Sequence, residues 1–279
     1  MKLQFTKMSG AGNDFVVIDN RTRFVRNGEA LARKLCDRRW GIGADGLLLV
    51  EQSATADFGM KYYNADGSYG GMCGNGGRCV ARFAVDNGIA GPKQSFEALE
   101  FTYRAVVQPD TVALSMKDPV GLRTNLKIKV GSMLLNAYFT DTGSPHVVIP
   151  IQQLRRKYRT LDQIPLEILG AKIRNHRLLK PTGANVNFID KMKDNSLRMR
   201  TYERGVEAET LACGTGSIAS AVVAAIIWKL ESPVMILASS GSRLAVGFKK
   251  QGSTFRNVTL TGPATVTFRG EIDVAEKEL

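Results

Sequence analysis

The chain has 279 residues, long enough for two domains of ordinary size, and its 44% hydrophobic and 23% charged content is that of a soluble globular protein. No apolar run reaches the ~18–20 residues of a membrane span, and residues 1–7 alternate like a strand without the apolar core of a signal peptide, so a cytoplasmic protein with no membrane partner is expected. The net charge of +12 raises a nucleic-acid reading, but the basic clusters at 155–159 and 172–180 come with no nucleic-acid-binding motif and no row of aromatics, so they are expected to be solvated surface.

In chain order, 14–19 reads as a strand closed by the polar run Asn20-Arg21-Thr22-Arg23. Residues 29–39 have helical spacing, with Leu31, Leu35 and Cys36 on one face. A glycine-rich loop, Gly41-Ile42-Gly43-Ala44-Asp45-Gly46, leads into a buried strand at 47–50, and a strand at 58–63 ends in the turn signal Asn64-Ala65-Asp66-Gly67. Met72-Cys73-Gly74-Asn75-Gly76-Gly77-Arg78 then opens a helix over 75–87, stopped by Gly88. Strands follow at 100–107 and 111–116, and Asp118-Pro119-Val120-Gly121 marks a boundary.

The second half repeats the plan, with strands at 134–140, 146–149, 186–189 and 197–202. Ala212-Cys213-Gly214-Thr215-Gly216-Ser217 opens a second helix over 217–230, apolar nearly all round and ended by Pro233, with Thr215 and Ser217 available to cap its first amides. Strands at 234–237, 243–248, 258–260 and 264–268 complete the chain. An α+β fold is expected, with two pseudo-symmetric domains, each a mostly antiparallel β-roll or barrel around a central helix. Residues 1–118 carry Cys73, with the strand 264–279 packing back on them, and 119–263 carry Cys213.

The echo of Cys-Gly-Xaa-Gly at two helix starts carries the chemistry. Only a thiolate is a useful base, and the first-turn amides and dipole of a helix favour negative charge there. Glycines let the backbone approach a ligand, so Gly74-Asn75 and Gly214-Thr215 offer a cradle for a substrate carboxylate. Inversion at an α-carbon needs a proton taken from one face and delivered to the other, which a thiolate and a thiol can do in both directions. Cys36 and Cys79 sit among apolar neighbours and read as core residues. The spacing of the cysteines, His146 and His176 matches no usual zinc set, so no metal is expected.

Gly12-Asn13-Asp14-Phe15, Gly41-Ile42-Gly43-Ala44-Asp45, Asn64-Ala65-Asp66-Gly67, Cys73-Gly74-Asn75-Gly76, Pro145-His146, Asn185-Val186-Asn187-Phe188, Tyr202-Glu203-Arg204-Gly205 and Ala212-Cys213-Gly214-Thr215-Gly216 stand in the order and spacing of one family. Together they resemble the diaminopimelate epimerases across nearly the whole chain. The resemblance implies a cofactor-independent isomerase that interconverts LL- and meso-2,6-diaminopimelate for lysine and peptidoglycan precursors, acting as a homodimer on a small-molecule substrate. It implies Cys73 and Cys213 as the two bases, with His146 and Glu203 tuning their protonation. Such a substrate carries a carboxylate and an ammonium at each end. Arg204 then offers a planar fork for the distal carboxylate, and Asn13, Asn64 and Asn185 offer donors and acceptors together.

Three positions depart from the family's pattern. Ser144 stands where many members carry a substrate-touching asparagine, Gly46 replaces a glutamine of some members, and Gly77 stands where alanine is frequent. The competing reading is a two-cysteine racemase or epimerase for proline or hydroxyproline. Asn64, Asn185 and Arg204 argue against it, because those substrates have no second amino-acid head.

Overall fold

A computed structural model describes residues 1–275; residues 276–279, the end of the expected C-terminal strand, lie outside the described residues. The chain divides into two compact units. One holds Met1–Ser115 and the segment from Gly262 onward, the other Met116–Thr261.

In chain order the first unit contains β1 (Lys2–Gly10), β2 (Asn13–Asp19), α1 (Gly28–Leu35), β3 (Gly46–Glu51), β4 (Phe58–Asn64), α2 (Gly74–Asp86), β5 (Lys93–Ala98), β6 (Phe101–Val107) and β7 (Val112–Ser115). The second unit contains β8 (Val120–Val130), β9 (Met133–Asp141), β10 (Pro145–Pro150), α3 (Leu166–Arg174), β11 (Asn185–Lys191), β12 (Leu197–Glu203), β13 (Ala208–Thr210), α4 (Gly214–Ile227), β14 (Val234–Leu237), β15 (Arg243–Gln251) and β16 (Thr254–Gly262). The chain then returns to the first unit with β17 (Thr265–Asp273), which pairs antiparallel with β1.

The two units share one pairing order. In the first, β17, β1, β2, β3, β4, β5, β6 and β7 follow one another, with β2–β3 and β4–β5 parallel and the rest antiparallel. In the second, β8, β9, β10, β11, β12, β14, β15 and β16 do so, with β10–β11 and β12–β14 parallel. The parallel pairs fall at the same places in both series, and each is joined by a crossover that carries a helix, as parallel neighbours require. Thus β2, β3, β4 and α2 correspond to β10, β11, β12 and α4. The expected duplication is therefore structural, and each unit is mostly antiparallel as expected, with two parallel pairings at matching places.

Both central helices are enclosed by strands: α2 packs against β1, β2, β3, β4, β6 and β7, and α4 against β9, β10, β11, β12, β14 and β15. The outer faces are covered by α1 and α3. Val16, Ile18, Leu47 and Leu49 join Leu31 and Leu35 of α1 in one apolar cluster. In the second unit Val147, Ile149, Val186 and Phe188 join Leu166, Leu169 and Ile173 of α3. Strands covered on both faces carry continuous apolar runs, as Leu47-Leu48-Leu49-Val50 does.

The helix ends correct the sequence reading. The first helix ends at Leu35 rather than 39, because Asp37 Oδ1 accepts from the amides of Arg39 and Trp40 at 2.7 Å each and turns the chain. α4 begins at Gly214 rather than 217 and stops at Ile227, with Lys229 in the left-handed region (φ 57°), well before Pro233. Its N-cap is Cys213 itself, whose Sγ accepts from the Gly216 amide at 3.4 Å. Thr215 and Ser217, expected as caps, do other things. Ser217 Oγ donates to the Cys213 carbonyl, and Thr215 points to His146.

Candidate active site

In the first unit the predicted residues gather where β2 and β3 begin, β4 ends and α2 starts. Cys73 is the N-cap of α2, in extended backbone, and is half-buried. Asn13, at the start of β2, donates through Nδ2 to Asp45 Oδ2 at 2.5 Å. A carboxylate only accepts, so Asn13 Oδ1 is turned the other way, toward Cys73 Sγ at 3.6 Å and Asn75 Nδ2 at 3.4 Å. An amide oxygen accepts too, so Cys73 meets it as a thiol donor. Asp45 is held in turn by Arg38, which also forks onto Asp14, and Asp14 pairs with Lys7 at 2.7 Å. Asn64 ends β4 and is tied locally: it accepts from the Tyr62 hydroxyl at 2.7 Å and donates to Ser68 Oγ at 3.0 Å.

Under the start of α2 lies Arg78, a fully buried arginine. It donates to Asn75 Oδ1 at 2.9 Å, to the Gly74 carbonyl at 3.3 Å and to the Pro263 carbonyl at 3.3 Å. Burial lowers its pKa, opposed by the neighbouring thiols of Cys79 and Cys73. The guanidinium fixes the Asn75 carboxamide and brings positive charge to the thiol end of the helix.

In the second unit the corresponding edge holds His146, Asn185, Glu203 and Arg204. Parallel pairing of β10 and β11 sets His146 beside Asn185 and Val148 beside Asn187, and antiparallel pairing of β11 and β12 sets Asn187 beside Thr201. His146 is fully buried. Burial first, and the Arg204 charge second, lower its imidazole to about 3, so it is neutral near pH 7. Its Nε2 lies 2.9 Å from Thr215 Oγ1 and 3.0 Å from Ser144 Oγ. Thr215 Oγ1 lies 3.6 Å from Cys213 Sγ. Asn185 bridges two strands: Oδ1 accepts from the Arg204 amide at 2.8 Å, and Nδ2 donates to the Pro145 carbonyl at 3.1 Å. Glu203 accepts from the Thr210 hydroxyl at 2.8 Å; burial raises its carboxyl and that bond partly offsets the rise. Arg204 reaches the Thr182 carbonyl at 3.5 Å and forms no ion pair among the described residues.

Cys73 thus has Asn13 beside it and Cys213 has Thr215, each at a glycine-rich helix start. Ser144, the departure from the family's asparagine, is bonded to His146 and Thr215 directly. At Gly77 a Cβ would lie 2.8 Å from Met72 Cε and 2.9 Å from Leu114 Cδ2, the far ends of two side chains that must shift to admit it. Gly46 has the stricter packing reason, since a Cβ would fall 2.5 Å from the Tyr62 ring and from the Tyr63 backbone carbonyl. Cys36 and Cys79 are buried, and desolvation pushes both thiols up to about 12. The sequence reading passed over Arg78, Asp45 and Asn187 as site residues. Asn187 had a signal, since it follows Asn185 at the two-residue period of one strand face.

The fold of paired α+β units is shared with proteins of known structure. A hydroxyproline epimerase from Agrobacterium vitis superposes with a TM-score of 0.72 at 16% identity, covering 97% of this chain and 92% of that one. A phenazine biosynthesis protein of the PhzF family from Bacillus anthracis does so with a TM-score of 0.75 at 14% identity, covering 98% and 100%. Sequence narrows the class. The profile of diaminopimelate epimerase matches residues 5–100 and 138–267. The diaminopimelate epimerase of Chlorobaculum tepidum is 45% identical over 269 residues, covering 95% of this chain and 99% of its own. That of Flavobacterium psychrophilum is 39% identical over 272 residues, covering 97% and 100%. The chain belongs to the diaminopimelate epimerase family.

Proposed function

We propose that the protein is a cofactor-independent epimerase that interconverts LL- and meso-2,6-diaminopimelate, serving lysine and peptidoglycan precursor synthesis in the cytoplasm as a homodimer. The observation that carries the reading is the matched pair of cysteine-capped helices, one in each unit, within a chain of this family. One sulfur, as thiolate, takes the α-proton. The electron pair left on carbon spreads into the adjacent carboxylate, whose growing charge is met by first-turn amides at Gly74-Asn75 and Gly214-Thr215. The other sulfur, as thiol, delivers its proton to the opposite face, so the two cysteines exchange protonation states in each turnover and no net proton is consumed.

His146 acts on Cys213 through Thr215, and Glu203, a half-buried carboxyl whose pKa desolvation raises, supports the same task. Arg204 receives the distal carboxylate, with Asn13, Asn64 and Asn185 dividing the ammonium and carboxylate contacts. Incubation with LL-diaminopimelate in deuterated water tests the whole scheme. Expected are a meso product and deuterium at the inverted α-carbon only. Cys73→Ala and Cys213→Ala should each lower the rate at least ~10³-fold, whereas Cys36→Ala and Cys79→Ala should retain most of it. Turnover of proline or hydroxyproline but not diaminopimelate would move the substrate assignment to the competing class.

A further inference from the structure

Asn187 is wholly buried on β11, and both ends of its carboxamide are fixed. Its Oδ1 accepts from the Thr201 hydroxyl at 2.9 Å. Its Nδ2 lies 3.2 Å from the Val147 carbonyl oxygen, which can only accept, so the amino group must be on that side. The second amino hydrogen meets His146 Nδ1 at 3.0 Å. An amide nitrogen donates and does not accept, so Nδ1 carries no proton and the neutral imidazole holds its one proton on Nε2.

The polarity continues outward. Asn185 Nδ2 donates to Ser144 Oγ at 3.3 Å, so the Ser144 hydroxyl can pass its own proton to Thr215 Oγ1, 3.2 Å away. Thr215 Oγ1 also receives His146 Nε2–H at 2.9 Å. Both of its lone pairs are then used, and its hydroxyl proton points at Cys213 Sγ, 3.6 Å away. The Gly216 amide points at the same sulfur from 3.4 Å.

We infer that Asn187 is a positioning residue that locks His146 as the Nε2–H tautomer, so that donors run one way through Thr215 onto Cys213 and favour its thiolate in the resting enzyme. The inference rests on the proposed role of Cys213 as a base and adds the group that sets its direction. His146 is then a fixed donor rather than a proton acceptor. The charged group bearing on the imidazole is Arg204, which opposes an imidazolium and so reinforces the neutral form. At Cys73 the partner has the opposite polarity, since Asn13 Oδ1 accepts.

The chain contains only two histidines, so ¹⁵N-histidine labelling of the full-length protein gives two imidazoles, separable by His176→Gln. Nitrogen NMR of His146 should show a bare Nδ1 and a protonated Nε2 throughout pH 5–9. A protonated Nδ1 in that range overturns the inference. The second readout is ultraviolet thiolate absorbance in a Cys73→Ala background. Burial pushes Cys36 and Cys79 up to about 12, and subtracting the signal of the matching Cys213→Ala protein removes tyrosine ionisation near pH 10, so the difference reports Cys213. Adding Thr215→Val should raise the midpoint by about one to two pH units, and Thr215→Ser should restore it. Equal midpoints in all three proteins overturn the relay. Neither readout needs turnover, so a locked imidazole in a protein unable to epimerise diaminopimelate would sink the proposed function while leaving this assignment standing.

Discussion

Arg78 is a buried cation bonded to one side-chain oxygen and two carbonyls, with no carboxylate partner among the described residues. Such a group is held by hydrogen bonds alone, and removing it takes a donor from three oxygens. Arg78→Met should therefore destabilise the protein by about 2–4 kcal/mol in urea unfolding. Arg78→Lys, which keeps the charge but loses the fork, should fall between that variant and wild type. Equal stability in all three would show that the acceptors find other donors. Two further residues set the acid limit. Burial raises the Asp14 carboxyl, but Arg38 and Lys7 outweigh it and lower it to about 2 from 3.8, while His146 falls from 6.5 to about 3. For both, the unfolded chain binds more protons, so stability drops as pH falls, from about 6.5 toward 3 for His146 and from about 4 toward 2 for Asp14. By pH 4 the His146 loss is on the order of 3 kcal/mol. Urea midpoints measured from pH 7 to 4 should fall steeply in wild type and less in His146→Gln. Parallel profiles would count against the assignment.

At the scale of elements, the two helix starts differ in what their glycines admit. A Cβ on Gly216 would stand 2.4 Å from Asn187 Oδ1 and 3.2 Å from Cys213 Sγ. Asn187 is pinned by Thr201 and Val147 and cannot retreat, so Gly216→Ala should disrupt the His146 network and reduce kcat by at least ~10²-fold. At Gly77 the nearest atoms are the flexible ends of Met72 and Leu114, so Gly77→Ala should cost less than about 1 kcal/mol and leave kcat within a few-fold. Matched kcat losses in both variants would refute this contrast. The elements were legible in the sequence where apolar pattern and turn chemistry agree, as at β2, β3 and α2. β8 was missed because only its second half alternates, with Leu126, Ile128 and Val130 buried between lysines, while Val120 to Asn125 are largely exposed. α3 was missed because its last turn merges into the basic stretch that reads as solvated surface. The cysteines were legible because each opens a glycine-rich helix start. Asn187 and Arg78 gain their meaning from partners 41 and 185 residues away, which no local pattern displays.

At the scale of the whole chain, the shared pairing order makes β17 the counterpart of β8. The strand that leads the second unit is, in the first unit, the last one made. Its end meets the chain's start directly: the Met1 ammonium donates to the Val274 carbonyl at 2.6 Å, and the Val274 amide returns a bond to the Met1 carbonyl at 3.0 Å. A chain cut after 261 should therefore lose one of β1's two partners and the order of the first unit, while residues 116–261 stay resistant to limited proteolysis. Equal protection of 1–115 in that truncated chain would disprove the dependence. The order of synthesis is thereby uncoupled from the order of folding. On the ribosome, residues 116–261 can close as soon as they emerge, while the first 115, translated earlier, wait with an open sheet edge for the final strand. The unit made first is finished last, and a circular permutant that begins at β17 would remove that wait.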